Sequence, residues 1–589
     1  MCGITCIYNK INHIDKNSLL DITNELRHRG PDASGIKVEL NGRLGIGHTR
    51  LKLVDLSDEA NQPMIIDDIV ISFNGEIYNH KELRKQLEKA GYIFVTNSDT
   101  EIIIKSFKEW GLPHALDKFN GCFVFVLYDK ENEKLYIVRD HIGKKQIVYS
   151  HATNGDWIFA SEVKAIIKHP FIKKEPNIDR FISDLTFKFF SDKAETFFKD
   201  IYFVPAGYFV VFNLKDNSDP KFIKYWDINN PSLNKNINIT NIVDELNELL
   251  KSSVELRMTA DCKIGSILSG GIDSSIITKI ASDYSLKCGN ELACFTIKYT
   301  LGTKNDLKNA RLLSKTLENI KLNEILVDKD ISIEDFDKIT WSLEEPLLDK
   351  VYIAQYRNYK EARSNGFKAV INGQGADELW LGYYFFYKLF QLPNSKINYN
   401  DLTKYWNNQF KFFSLSNSAY IKTKVKKIII ENLNKNFLPY QTEDKLASIV
   451  NFSIKTHLQS MFTQEDRLSM ANSVEVRLPH VDMRIVKLAL SVPSKIKIFD
   501  GREKYILRTL GQKFLPKQIY TRKKMAFPDP PSQYDKLAEI VFDKKAIIKS
   551  KIISAIFNSK LIYKEFYKLP IRDRWMLLAI LRMEKVFFE

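Results

Sequence analysis

At 589 residues the chain is too long for one hydrophobic core, so two large domains are expected. Its 44% hydrophobic and 27% charged residues exclude a disordered or fibrous protein, and its longest apolar runs, such as 122–128, fall far short of the roughly 20 residues that a membrane helix needs. The net charge of +15 comes from lysines interleaved with Glu and Asp along the whole chain, a biased composition rather than a nucleic-acid-binding stripe.

The start, Met-Cys-Gly-Ile-Thr-Cys, has no basic segment ahead of a long apolar run, so no secretory signal is read and the cytoplasm is the expected compartment. Cys2, Cys6, Cys122, Cys262, Cys288 and Cys294 form no CxxC pair, which argues against a disulfide framework or a zinc site. From Cys2 to about Phe212, β-rich runs at 42–49, 69–73, 123–128, 135–138 and 208–212 alternate with turns, and helical spacing at 80–90 and 100–110 stops at Gly91 and Gly111. This half reads as layered α+β, a first domain over 2–212.

The Asn-, Asp-, Ser- and Pro-rich stretch 213–239 reads as a linker, and a second domain as 240–589. That domain opens with an amphipathic helix at 242–258, an apolar strand at 264–268, a Ser-Gly-Gly turn and a helix from Ser274. Strand, glycine turn and helix in that order predict a parallel, doubly wound α/β unit, with further strands at 293–297, 324–327 and 369–372. Beyond Tyr383 the pattern is mainly helical, with Phe and Tyr on the apolar faces.

Trimming of Met1 would leave Cys2 with a free α-amine beside its thiol. An α-amine titrates near about 7.7–8.0 and a thiol near about 8.5, so nucleophile and base can be one residue. Arg50 would hold the α-carboxylate of glutamine, and Glu76 and Asp99 its α-ammonium. The Asn74 amide and the Gly75 backbone N–H would face the oxyanion formed when the thiolate attacks the carboxamide.

Cys2-Gly3-Ile4, Arg27-His28-Arg29-Gly30-Pro31-Asp32, Gln62-Pro63, Asn74-Gly75-Glu76-Ile77-Tyr78-Asn79 and Arg139-Asp140 resemble a class II glutamine amidotransferase. The resemblance implies an N-terminal nucleophile fold, a four-layer sandwich of two sheets between helices.

Ser269-Gly270-Gly271-Ile272-Asp273-Ser274 lies between strand and helix, where glycines allow a tight turn and helix N-terminal N–H groups cradle phosphate. It lacks the Gly-Lys-Ser/Thr ending of a P-loop. It resembles instead the pyrophosphate loop of N-type ATP pyrophosphatases, which implies ATP as substrate and Asp273 as a Mg²⁺ ligand; a helix cap is the other reading of Asp273. With Asn372-Gly373-Gln374-Gly375-Ala376-Asp377-Glu378, Asp466-Arg467, Glu475-Val476-Arg477-Leu478-Pro479, Asp482 and Lys504-Tyr505-Ile506-Leu507-Arg508, the chain is similar to the glutamine-hydrolysing asparagine synthetase family as far as about Pro528.

That resemblance places Leu268, Ser269 and Ile297 near adenine and ribose, Gly373 and Asp377 near the α-phosphate and metal, and Lys504 against the phosphates and the tetrahedral intermediate. Glu345 is the candidate base for ammonia, with Glu344 beside it as the alternative. The implied reaction is an acyl-adenylate displaced by ammonia that travels a water-poor passage, with AMP and pyrophosphate as products. Aspartate is the leading acceptor; a uronic acid of a surface polysaccharide is the second, because Asn372 and Gln374 depart from the usual Ser and acidic residues. A homodimer is the assembly allowed for.

Overall fold

The computed structural model describes residues 2–187, 194–216, 218–228, 238–299, 304–327, 331–383, 386–388, 391, 420–425, 427, 445–523 and 544–589. Among the described residues twelve strands build the first half: β1 (Gly3–Asn9), β2 (Ala33–Glu39), β3 (Leu44–Arg50), β4 (Met64–Ile66), β5 (Ile69–Ile77), β6 (Gly121–Asp129), β7 (Lys134–Arg139), β8 (Val148–His151), β9 (Asp156–Ala160), β10 (Tyr202–Phe203), β11 (Tyr208–Asn213) and β12 (Lys221–Lys224). They form two six-stranded sheets, in the orders β10-β8-β9-β1-β3-β2 and β12-β11-β7-β6-β5-β4.

Strand periodicity explains the layering. Along β1, Ile4, Cys6 and Tyr8 enter a core between the sheets, where they meet Val70, Val124, Val126, Ile137 and Phe212, whereas Ile7 faces the opposite side. There it packs with Leu19 and Ile22 of helix Lys16–Asn24. On the outer face of the second sheet, Ile71, Phe73, Phe123 and Phe125 pack on helices His80–Lys89, Asp99–Trp110 and Leu112–Lys118. Helix, sheet, sheet, helix is the four-layer sandwich. Strand β12 falls in the stretch read as a linker, pairing Lys221 with Val211 and Lys224 with Tyr208.

The second half holds one five-stranded sheet: β13 (Ile264–Ile267), β14 (Leu292–Lys298), β15 (Ile320–Leu326), β16 (Ala369–Ile371) and β17 (Glu475–Arg477). Every neighbouring pair is parallel, and the order is β15-β14-β13-β16-β17. The order reverses between β13 and β16, and the crevice beyond the C-terminal ends of strands at such a switch point is where ligands bind in open α/β sheets.

Strand β17 stands inside the region read as helical. Its three residues are all buried and two are charged, so no apolar run announces it. Around it, helices Lys445–Lys455, His457–Met470, Met483–Ser491 and Tyr505–Gln512 agree with the helical reading; the parts of that reading at 392–419, 428–444 and 524–543 lie outside the described residues. The C-terminal helix Ile571–Phe587 joins the halves. Trp575, Leu578 and Ala579 enter the core of the parallel-sheet half, and Met576, Leu577, Ile580 and Met583 enter the core beneath the first sheet. Among the described residues no helix is long and apolar enough to cross a membrane.

Candidate functional site

Cys2 immediately precedes β1, in a strand end fixed from two sides. Its backbone N–H donates to Asn74 Oδ1 at 3.0 Å, and its carbonyl accepts from Arg29 Nε at 2.9 Å. Cys2 keeps 8% of its surface, whereas Cys6 on the same strand has none and is a core thiol. Burial pushes the Cys2 thiol up; the N-terminal ammonium, a Leu51 backbone hydrogen bond and Arg50 pull it down. Asn74 Nδ2 is buried with no hydrogen-bond partner, a donor left over beside the thiol. Gly75 follows at φ +149°, and a Cβ there would stand 2.1 Å from the Cys122 carbonyl, so only glycine lets β5 run this close to β6.

Arg50, at the end of β3, donates from Nη1 to Ser57 O at 2.7 Å and Asn61 Oδ1 at 2.8 Å, and from Nη2 to Asp55 O. Asp99 opens helix Asp99–Trp110, whose N-cap Ser98 accepts from the Thr100 N–H, and its Oδ2 accepts from the Ile77 N–H at 2.9 Å. Glu76 Oε1 lies 3.1 Å from Arg477 Nη2, a group from β17 of the other half. Burial pushes both carboxyls up; Arg477 opposes this at Glu76, and His80 foremost at Asp99. Cys2, Asn74, Gly75, Arg50, Glu76 and Asp99, scattered over about a hundred residues, thus gather at the ends of β1, β3 and β5.

The second cluster fills the switch-point crevice. After β13, Leu268 is buried, its N–H donating to Phe295 O at 2.9 Å, which sets it beside the half-buried Ile297 at the end of β14. Ser269 Oγ lies 2.9 Å from Ser274 Oγ and closes the turn on itself. Gly270 sits at φ +75°, with room for a Cβ denied by Asp306 O at 2.1 Å; Gly271 is the N-cap of helix Ile272–Lys287. Gly373, after β16, backs on the same turn: a Cβ there would meet Ser274 N at 2.6 Å.

Lys504, 1% exposed, places its ammonium 2.5 Å from Asp273 Oδ2 and 2.6 Å from Asp377 Oδ1. Two carboxylates converging on one cation are a donor set suited to a hard divalent ion that completes its shell with phosphate oxygens and water. Asp273 Oδ1 is buried without a hydrogen-bond partner, so a ligand atom remains to spare. Among the described residues no group of three His, Cys, Asp or Glu side chains could by itself hold a metal.

The structure separates the two adjacent glutamates. Glu344 caps helix Ile333–Leu343 in the left-handed region, and its carboxylate accepts from the N–H groups of Val163 and Lys164 and pairs with Lys164 and Arg467. It ties the halves together. Glu345 lines a small interdomain cleft with Glu344, Arg180, Thr196, Phe203 and Arg467; both carboxyls border it, and the difference is that Glu345 Oε1 has no hydrogen-bond partner. Burial, aided by Asp184, pushes its carboxyl up to about 7 against Arg467 and Arg180.

Sequence reasoning missed the charged seam between the halves. Arg29, fully buried, donates to Glu162 Oε1 at 2.5 Å and to Asp466 Oδ2 at 2.9 Å, and Lys145 lies 3.7 Å from Asp466. Glu465 accepts from Asn372 Nδ2 at 2.7 Å and Lys144 Nζ at 3.2 Å, and the Gln374 amide nitrogen turns toward it. The two departures from the usual pattern are therefore partners of one carboxylate, beside which an acidic residue at 374 would be repelled. In the sequence Arg29, Asp466, Asn372 and Gln374 stand in family motifs, but nothing local pairs them across the halves.

Residues 1–226 match the family profile described as Glutamine amidotransferase domain, and 245–575 match Asparagine synthase. A thiol-bearing sandwich joined to a parallel-sheet half defines a two-domain enzyme of the glutamine amidotransferase class. The chain belongs to the asparagine synthase family. It is 28% identical to Asparagine synthetase [glutamine-hydrolyzing] 1 of Bacillus subtilis (strain 168) over 90% of this chain and 87% of that protein. It is 27% identical to Asparagine synthetase [glutamine-hydrolyzing] 3 of the same strain, over 90% and 87%, and 26% identical to Amidase chry2 of Gibberella zeae, over 90% and 89%.

Proposed function

We propose that the chain transfers glutamine nitrogen to a carboxylate that it activates with ATP, forming AMP and pyrophosphate, and that the carboxylate is aspartate. The observation carrying most weight is the buried, unpartnered Asn74 Nδ2 beside Cys2, a donor that a developing oxyanion would fill. With Met1 removed, the Cys2 nitrogen becomes an amine able to take the thiol proton and later return it to departing ammonia. Arg50 and the buried carboxylates Glu76 and Asp99 orient the two ends of the glutamine backbone.

In the other half, the Ser269–Ser274 turn and Gly373 hold the phosphates of ATP. Lys504 neutralises charge building on the α-phosphate as the acceptor carboxylate attacks, and Asp273 and Asp377 would hold Mg²⁺, which supplies further charge neutralisation when bound. Glu345, with its carboxyl near neutrality, takes a proton from ammonia as nitrogen attacks the acyl carbon.

A second acceptor class, uronic acids, is favoured by Asn372 and Gln374, whose amides stand on Glu465 where the usual pattern has other groups. The test incubates the protein with glutamine, ATP, Mg²⁺ and either aspartate or a uronate. Asparagine, AMP and pyrophosphate together support the first reading; ATP cleavage that ignores aspartate and answers to the uronate selects the second. Cys2→Ala should lose glutamine-driven synthesis and keep synthesis from ammonium chloride. Glutamine use retained by that variant would remove Cys2 from its role.

A further inference from the structure

Arg477 touches both halves. Its side chain is fully buried, with Nη2 3.1 Å from Glu76 Oε1, Nε 2.6 Å from Glu475 Oε1, and Nη1 donating to the carbonyls of Arg257 at 2.8 Å and Thr259 at 2.9 Å. Four partners leave the guanidinium one orientation. Its backbone carbonyl accepts from the Asn372 N–H at 3.0 Å, and β17 pairs in parallel with β16, Ile371 opposite Arg477. Gly373, which follows Asn372, stands so close to Asp273 and Ser274 that an added Cβ would meet them at 2.8 and 2.6 Å. One residue thus joins a carboxylate of the glutamine site to the turn that faces the nucleotide, through hydrogen bonds and a strand with little freedom to yield.

We propose that Arg477 is a positioning residue that sets the affinity for glutamine by clamping Glu76, and that it carries nucleotide occupancy of the Gly373 turn to the glutamine site. This rests on the reading of Glu76 as a glutamine ligand. ATP settling on the Ser269–Ser274 turn presses on Gly373; Asn372 and β17 move with it, and the guanidinium, held at its far end by Glu475 and two carbonyls, shifts Glu76. Nothing in this coupling needs Arg477 to touch either substrate.

The test measures ammonia release over a range of glutamine concentrations in the full-length protein, with and without ATP and Mg²⁺, for wild type and Arg477→Lys. A lysine keeps the charge but not the four-way fork. The expected result is a wild-type glutamine KM that shifts on adding ATP, and a variant KM raised about tenfold, the loss of one charge-assisted hydrogen bond, that no longer shifts. Ammonium-driven AMP formation with the carboxylate accepted by wild type should stay within about threefold, since a loss there is what a purely structural role would give.

The pair Arg477→Met with Glu475→Gln, which removes one charge of each sign, guards against a folding defect from an unpaired Glu475 and leaves Glu76 as the one carboxyl that loses its partner. It should raise the glutamine KM in the same way. A wild-type KM indifferent to ATP, an unchanged KM in both variants, or a parallel fall of glutamine-driven and ammonium-driven rates overturns the proposal. Failure of the underlying reading looks different: Glu76→Gln, which removes the carboxylate itself, would leave the glutamine KM at the wild-type value.

Discussion

Burial pushes the Glu345 carboxyl from the ordinary 4.5 up to about 7, and a proton held that much more tightly in the fold has consequences for stability and for rate. Because the folded value is the higher one, the stabilisation is complete below about pH 4 and is lost as pH rises through about 7, at a cost of roughly 3 kcal/mol once the group is ionised. Glu345→Gln should therefore gain stability relative to wild type as pH rises from about 4.5 to about 7 and level off above that, as read by denaturant midpoints at each pH. A difference that stays flat over that range means the carboxyl does not titrate there. The same substitution should lower amide formation from ammonium about 10²–10⁴-fold while glutamine hydrolysis at Cys2 continues. Glu344 gives the contrast: three residues from both halves, Val163, Lys164 and Arg467, hold its carboxylate, so Glu344→Gln should weaken the interface. The sequence sets these two side by side; packing decides that Glu344 is taken up by ion pairs while Glu345 Oε1 is left without a hydrogen-bond partner.

At the level of elements, two glycines let the Ser269–Ser274 turn and the end of β16 pack with no room for side chains. Gly373→Ala would drive a methyl group to 2.6 Å from Ser274 N and 2.8 Å from the Asp273 carbonyl carbon, so the turn must shift by several tenths of an ångström. The expected outcome is an ATP KM raised at least about tenfold with glutamine hydrolysis kept, a split that ammonia-release and AMP assays on one preparation would show. Element identity was legible wherever periodicity was strong. The run read at 208–212 is β11 (Tyr208–Asn213), that at 123–128 is β6 (Gly121–Asp129), and the helix expected at 242–258 is Ile239–Met258. Glu475–Arg477 was illegible for a physical reason: a three-residue strand buried through ion pairs and hydrogen bonds carries no apolar alternation, and its partners lie up to about 400 residues away.

For the whole molecule, the seam between the halves is held by buried charge as well as by the C-terminal helix. Asp466 is fully buried and answers both Arg29 and Lys145. Asp466→Asn would leave those cations short of a counter-charge, and breaking such a buried pair costs about 3–5 kcal/mol. Thermal unfolding should show a lowered transition, and if the halves come apart before they melt, it should split into two. The sequence by itself determined the family, the α+β and parallel α/β character of the halves and the strand–turn–helix units, because hydrophobic periodicity, glycine turns and short motifs are local. Tertiary structure alone decided which glutamate is the paired one, that Glu465 answers Asn372 and Gln374, and that Arg477 reaches Glu76. Those facts are distances between groups far apart in the chain, and only packing sets them.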